Sequence, residues 1–266
     1  MMRFTNGQLE RYSRHIVMKE LGIKGQKKIS SGKVLVIGAG GLGSPAAMYL
    51  AAAGVGTIGI ADGDAVELSN LQRQILHKTE NLGKNKAESA REAMLSVNPE
   101  IIVKAYPERV HSGNILEIIA DYDFVLDGTD NLAAKYLIND ACVMMNKPFT
   151  HGGVLQFFGQ VTTVIPKQGP CYRCMFREPP KAQVRSCGDA GIVGAIPGVI
   201  GSIQALEAIK YLTGLGELLV GKLLMFDALT MDFDIVELAP RGEGCAVCSE
   251  HPTITKLTDY SETVCS

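Results

Sequence analysis

Residues able to do chemistry gather in three parts of this 266-residue chain. The first is Gly38-Ala39-Gly40-Gly41-Leu42-Gly43, a G-x-G-x-x-G run between the aliphatic stretch Lys33–Gly38 and the small-residue stretch Ser44–Ala53. After a strand and before a helix, such glycines let backbone N–H groups approach a phosphate chain at the positive helix end. Asp62 closes the next apolar stretch, Thr57–Asp62, where an acid accepts from ribose hydroxyls. A glycine-rich turn used only for close strand–helix packing would share this pattern. Asp64, Glu67, Asn70, Arg73, Gln74, Lys84 and Lys86 follow within a loop and a helix start. Arg and Lys neutralise a leaving pyrophosphate and an Asp can hold Mg2+, so the set suits a triphosphate better than a dinucleotide. A solvated charged loop is the plainer alternative, above all for Lys84.

The second part is a pair of C-x-x-C motifs, Cys171/Cys174 and Cys245/Cys248. Four thiolates suit tetrahedral Zn2+, and a closed four-sulfur shell leaves no position for a substrate, so the reading is a structural zinc site. Reduced, unmetallated thiols or a redox-active pair are the alternatives. Cys142 falls on an expected helix and reads as core. Cys187 lies in a polar, proline-bearing stretch, with Arg185 close enough in sequence to favour its thiolate. The third part is Asp127 and Asp130, at the carboxyl end of the apolar stretch Asp123–Asp127. Doubly wound sheets place their ligands on that side.

The elements that must position these groups follow from periodicity. Strands are expected at Lys33–Gly38, Thr57–Asp62, Ile101–Tyr106, Asp123–Asp127 and Pro148–His151. They alternate with helices at Ser44–Ala53, Asn85–Val97, Ser112–Ala120 and Ala133–Met145. That alternation predicts an α/β fold with a doubly wound, Rossmann-like, mostly parallel sheet. Beyond Gly152 a strand at Gly159–Ile165, a helix at Gly194–Leu212, and strands at Lys222–Asp227 and Phe233–Leu238 predict an antiparallel extension. Helical spacing also runs through Thr5–Leu21.

Bulk properties exclude several classes. With 26 basic and 28 acidic residues the chain has no charge excess to favour a nucleic-acid surface. Its longest uncharged run, Val34–Ala61, is broken by glycines and Pro45, which argues against a membrane span. No apolar signal core opens the chain, and seven cysteines make an odd set for a disulfide framework; a cytoplasmic protein is expected. Gly216–Lys222 spells G-x-x-x-x-G-K, but Leu223 stands where a Mg2+-binding hydroxyl is needed, so this is no phosphate loop. His15, His77, His111, His151 and His251 read as surface or packing residues.

The ordered blocks Arg11-Tyr12-Ser13-Arg14, GAGGLG at 38–43, D-x-D-x-V-E-x-S-N-L-Q-R-Q at 62–74, Asp127-Gly128-Thr129-Asp130-Asn131, Gly159-Gln160 and the two C-x-x-C pairs resemble the ThiF/MoeB/HesA family. Its members are relatives of the adenylation domain of ubiquitin-activating enzymes. The resemblance implies an adenylyltransferase that uses ATP and Mg2+ to activate the C-terminal carboxylate of a ubiquitin-like sulfur-carrier protein ending in Gly-Gly. That step precedes sulfur transfer for thiamin, molybdopterin or related biosynthesis. Gly38, Gly40, Gly41, Gly43 and Asp62 would hold the nucleotide, Asn70, Arg73 and Lys86 its phosphates, and Asp130 the Mg2+. Asp64, Gln74 and Asn131 would shape the same pocket. Arg14 would reach the phosphates of a neighbouring subunit, which implies a homodimer. Cys187 would form a covalent link with the activated carrier, with a bystander thiol in its loop as the alternative. No rhodanese-like stretch follows Cys248, so a separate persulfide sulfur donor is expected.

On this reading residues 1–30 are an N-terminal helical segment, 31–152 the nucleotide-binding half, 153–252 the carrier-binding and zinc half of the same domain, and 253–266 a loosely held tail. A NAD-dependent oxidoreductase and a non-catalytic nucleotide-binding scaffold compete with it. The first leaves Asn70–Gln74, Asp130 and the four cysteines without a role; the second leaves the phosphate-binding set unused.

Overall fold

The structure, a computed structural model, describes residues 3–177 and 191–260. Its strands are β1 (Lys33–Ile37), β2 (Thr57–Ala61), β3 (Ile102–Tyr106), β4 (Phe124–Asp127), β5 (Phe149–Leu155), β6 (Phe158–Val164), β7 (Lys222–Asp227) and β8 (Asp232–Glu237). They form one sheet in the order β3-β2-β1-β4-β5-β6-β7-β8. The neighbours from β3 to β5 pair in parallel, and those from β5 to β8 pair antiparallel. The expected mostly parallel sheet with an antiparallel extension is therefore the observed one.

Apolar residues run unbroken through β1 because both faces of the sheet are covered. Val34 and Val36 join Ile58, Ile60, Phe124 and Leu126 in a core under α4 (Gly43–Ala53) and α5 (Lys86–Val97). Leu35, Ile37 and Val125 point the other way, into a core with α6 (Ile115–Ala120) and α7 (Leu132–Met144) that also takes in Cys171, Cys245 and Cys248. Following the short α8 (Tyr172–Met175), the long helix α9 (Ala195–Thr213) lies against α4 and the β5–β6 region. A small third core of Leu42, Val161, Ile196, Ile200 and Phe226 fixes its N-terminal turns beside the glycine loop. Among the described residues no helix is long and apolar enough to cross a membrane.

Three elements differ from the sequence reading. The expected helix over Thr5–Leu21 is broken into α1 (Asn6–Arg11) and α2 (Ser13–Ile16), and an unforeseen α3 (Gly22–Ser31) follows. Helix α3 buries only Gly25, Gln26 and Ile29, too few apolar residues for a periodic signal. Strand β5 continues to Leu155, through Gly152 and Gly153. A Cβ at Gly152 would stand 2.5 Å from the Gln204 side chain, so glycine here makes room for α9 rather than ending the strand. Past Pro252 the chain still makes contacts: Asp259 accepts from the Ser112 backbone and hydroxyl, both at 2.7 Å, and Tyr260 reaches Arg173 and Asp140.

Candidate active site and cysteine cluster

The strand order reverses between β1 and β4, and the glycine loop and the 127–131 turn leave the sheet side by side at that point. Open α/β sheets carry their ligand crevice there, outside the carboxyl ends of the strands. The two turns touch. A Cβ on Gly38, whose φ is 96°, would lie 2.8 Å from the Gly128 carbonyl oxygen, and one on Gly43 would lie 1.8 Å from the Gly38 carbonyl oxygen. Only glycine permits both the backbone conformation and the approach. Behind the loop α4 begins at Gly43 and presents its N-terminus to the crevice.

Asp62, at the end of β2, braces this loop. Its Oδ2 accepts from Ala39 N–H at 2.8 Å and its Oδ1 from Asp64 N–H at 2.9 Å. Burial raises its pKa above the ordinary carboxylate value, against the pull of those two donors. Asp64 is held between Lys86 Nζ at 3.2 Å and Arg109 Nη2 at 2.9 Å. Burial alone would raise its pKa, but the Arg109 hydrogen bond and Lys86 lower it. Lys86 is itself buried at the start of α5, whose N-cap Asn85 accepts from Ala87 N–H and Glu88 N–H.

Residues 68–74 form the opposite wall. Asn70 is buried, with its Oδ1 accepting from Glu67 N–H at 3.1 Å, and its carbonyl accepts from the Arg73 and Gln74 backbones. Arg73 lies against Gly41, where a Cβ would stand 3.6 Å from Arg73 Cγ and 3.2 Å from Pro197 of α9. Gln74 is buried beside Gly40, and neither its Oε1 nor the Ser44 hydroxyl oxygen has a hydrogen-bond partner among the described residues. Orphaned polar atoms flanking a glycine cradle fit a polar ligand that supplies the missing partners.

Asp130 is exposed in the turn after β4, and Asn131 caps α7, its Oδ1 accepting from Ala134 N–H at 2.7 Å. Beneath them Asp127 is fully buried and makes a hub that the sequence reading missed. Its Oδ1 accepts from Thr129 N–H at 3.0 Å and Thr129 Oγ1 at 2.6 Å; its Oδ2 faces Lys135 Nζ at 3.3 Å and His151 Nδ1 at 2.8 Å. Burial would raise the Asp127 pKa, yet Lys135, His151 and Thr129 together hold it well below the carboxylate range. Burial and then the charge of Lys135 lower the His151 pKa, which favours the neutral ring. Asp127 and His151 are polar ends of two successive apolar stretches, which the β4–β5 pairing sets in register.

Arg14 stands elsewhere. Helix α2 is tied to the far end of α4: Gln26, bonded to His15, donates to the Ala53 carbonyl at 2.9 Å, and Tyr12 packs on Gly54. The glycine loop is at the opposite end of that helix, about 16 Å away at 1.5 Å per residue.

The four cysteines converge. Cys171 Sγ lies 3.9 Å from Cys174 Sγ and 3.6 Å from Cys245 Sγ, Cys174 Sγ lies 3.4 Å from Cys248 Sγ, and all four are within 4.8 Å of one another. A tetrahedral zinc with bonds of about 2.3 Å needs sulfurs about 3.8 Å apart, so the set fits the metal. Helix α7 pins the first pair: Arg173 donates to Asp140 through Nε at 2.7 Å and Nη2 at 2.9 Å, and Tyr172 N–H donates to Asn139 at 2.9 Å. Cys142 is fully buried on α7. Cys187 lies outside the described residues.

Comparison with known sequences matches the ThiF family over residues 12–247. The chain belongs to the ThiF family. Among curated proteins it is 48% identical over 261 residues to "Adenylyltransferase and sulfurtransferase MOCS3" of Culex quinquefasciatus, covering 98% of this chain and 60% of that protein. The namesake from Aedes aegypti matches at the same identity and coverage. The chain thus spans about 60% of the length of these relatives. Among solved structures it resembles E. coli MccB with a TM-score of 0.81 at 22% identity, over 94% of this chain and 75% of that one. It also resembles PaaA with a TM-score of 0.75 at 23% identity, over 88% and 75%. These likenesses show a shared fold. In this ThiF-family chain Asp62, Arg73 and Gln74 lie against the glycine loop, Asn70 and Lys86 adjoin them, Asp130 and Asn131 belong to the neighbouring 127–131 turn, the cysteines form a separate cluster, and Arg14 belongs to neither.

Proposed function

We propose that this chain adenylylates the C-terminal carboxylate of a small ubiquitin-like sulfur-carrier protein, using ATP. The observation that carries the reading is the meeting of a glycine loop, a cationic wall and an acidic turn at the switch point between β1 and β4. In the reaction a carrier carboxylate oxygen bonds to the α-phosphorus of ATP. The bond from that phosphorus to the bridging oxygen breaks, and its electron pair leaves on pyrophosphate. The attacking oxygen is already anionic, so no general base is required, and positioning and charge neutralisation suffice.

The loop amides and the α4 N-terminus receive phosphate oxygens, and Asp62, braced by Ala39, accepts from the ribose. Asn70, Arg73 and Lys86 neutralise the phosphates, with Gln74, Asp64 and Asn131 shaping the pocket. Asp130 holds Mg2+, which when bound screens the charge of the leaving group. The position of Arg14, remote from its own glycine loop, supports a role at a second subunit's site in a homodimer. The cysteine cluster holds zinc as a staple between the knuckle after β6 and the segment after β8. The names of the curated relatives support the assignment, because they join an adenylyltransferase to a sulfurtransferase.

The test is ATP–pyrophosphate exchange with and without a carrier ending in a free Gly-Gly carboxylate. Exchange is expected only with the carrier, and Asp130→Ala is expected to lower it by about a hundredfold or more, the scale of losing one charge-stabilising group. Full exchange by that variant, or exchange without any carrier, would refute the assignment.

A further inference from the structure

His77 is buried beside the glycine loop and bonds in two directions. Its Nε2 is 3.0 Å from the Ala39 carbonyl oxygen, and its Nδ1 is 2.9 Å from the Ser89 hydroxyl of α5. A carbonyl only accepts, so Nε2 carries the proton, and Nδ1 accepts from Ser89. Burial lowers the His77 pKa, in keeping with a neutral ring.

The consequence lies in the peptide planes around Ala39. Asp62 holds the plane between residues 38 and 39 through Ala39 N–H. His77 holds the next plane, between residues 39 and 40, through the Ala39 carbonyl. In a trans peptide the carbonyl and the following N–H point in opposite directions, and no described peptide bond is cis. With the Ala39 carbonyl drawn inward to His77, the Gly40 N–H is turned outward, away from the buried ring. Ser89 in turn anchors the ring to the helix that begins with Lys86.

We propose that His77 is a positioning residue of the nucleotide site, fixing the Gly40 amide as a phosphate donor through the Ala39 carbonyl. This rests on the ATP reading above. It touches no substrate and acts through the loop backbone: Asp62 holds the plane before Ala39, and His77 holds the plane after it.

Two substitutions separate its two bonds. In His77→Gln the amide nitrogen extends to the place of Nε2 and can still donate to Ala39, whereas His77→Asn reaches only the place of Nδ1 and keeps the Ser89 side. ATP affinity is measured by calorimetry on the full chain with Mg2+, beside denaturant midpoints for both variants and for Ser89→Ala. We expect His77→Asn to bind ATP about tenfold more weakly, the size of one lost buried hydrogen bond, with His77→Gln and Ser89→Ala within about threefold of wild type. The order is to hold whatever the order of the midpoints. If both His77 variants weaken ATP alike, if affinity merely follows stability, or if His77→Asn binds as wild type does, the positioning role is overturned while the nucleotide site stands. Wild type that binds no ATP overturns the adenylylation reading and this proposal together.

Discussion

Asp127→Asn is a near-isosteric change with a large expected effect. The carboxylate is fully buried and receives four hydrogen bonds, from Thr129 N–H and Oγ1, Lys135 Nζ and His151 Nδ1. An amide keeps the acceptor toward Thr129 but sets an N–H2 group against the two donors at Oδ2. Lys135, only 7% exposed, then keeps its charge with the Gly152 carbonyl at 2.8 Å as its remaining partner. Removing one member of a buried ion pair costs about 3–5 kcal/mol, because the other charge is left uncompensated. That is a large part of the 5–15 kcal/mol typical of a domain, so urea unfolding will register it clearly. Adding Lys135→Met removes the orphan charge, and the double variant is expected to be more stable than Asp127→Asn alone. Acid supplies a second check. The lowered folded pKa means that Asp127 stabilises fully above about pH 5, where the unfolded chain's aspartates are also ionised, and that this contribution is lost as the pH falls toward the folded value. The gap between wild type and Asp127→Asn should therefore narrow on acidification. A single variant within 1 kcal/mol of wild type, on the scale of an exposed pair, would refute the hub, as would a double variant no more stable than the single.

Other outcomes follow from the same geometry. One zinc per chain is expected by atomic emission, and Cys174→Ser should lose it with a lowered melting temperature; unchanged melting on metal removal would refute the staple. Mixed dimers of Arg14→Ala and Asp130→Ala chains should regain exchange activity that each lacks alone, since one of the two sites keeps both residues, and failure despite proven subunit exchange would refute a shared site. Cys187→Ser should leave pyrophosphate exchange nearly intact and slow thiocarboxylation of the carrier; wild-type thiocarboxylation would make that thiol a bystander.

The parallel half of the fold was legible because β1, β2 and β4 are apolar runs buried on both faces and the strands alternate with helix signals. The glycine loop was legible because its spacing and Asp62 follow from backbone geometry alone. What escaped were contacts that depend on which strands become neighbours. Nothing local tells that Asp127 and His151 share a register, or that Lys135 turns back from α7 to meet them. His77 read as a packing residue for the same reason: its partner Ala39 is 38 positions away and offers only a backbone oxygen. Helix α3 was missed because its buried face is made of Gly25 and Gln26, with a single large apolar side chain, Ile29.

The outermost strand β8 is exposed at every residue and, among the described residues, pairs only with β7. Phe233, Ile235 and Val236 thus sit on an open sheet border, the arrangement from which chains add to one another and aggregate. Asp232, Asp234 and Glu237 are interleaved with them. A second copy approaching this border antiparallel would bring acids against acids, so the strand carries its own electrostatic guard. That guard weakens as salt shortens the Debye length to about 3 Å near 1 M, well before the buried cores are touched. Colloidal solubility and conformational stability of this molecule should therefore part company in concentrated salt, the first failing while the second holds.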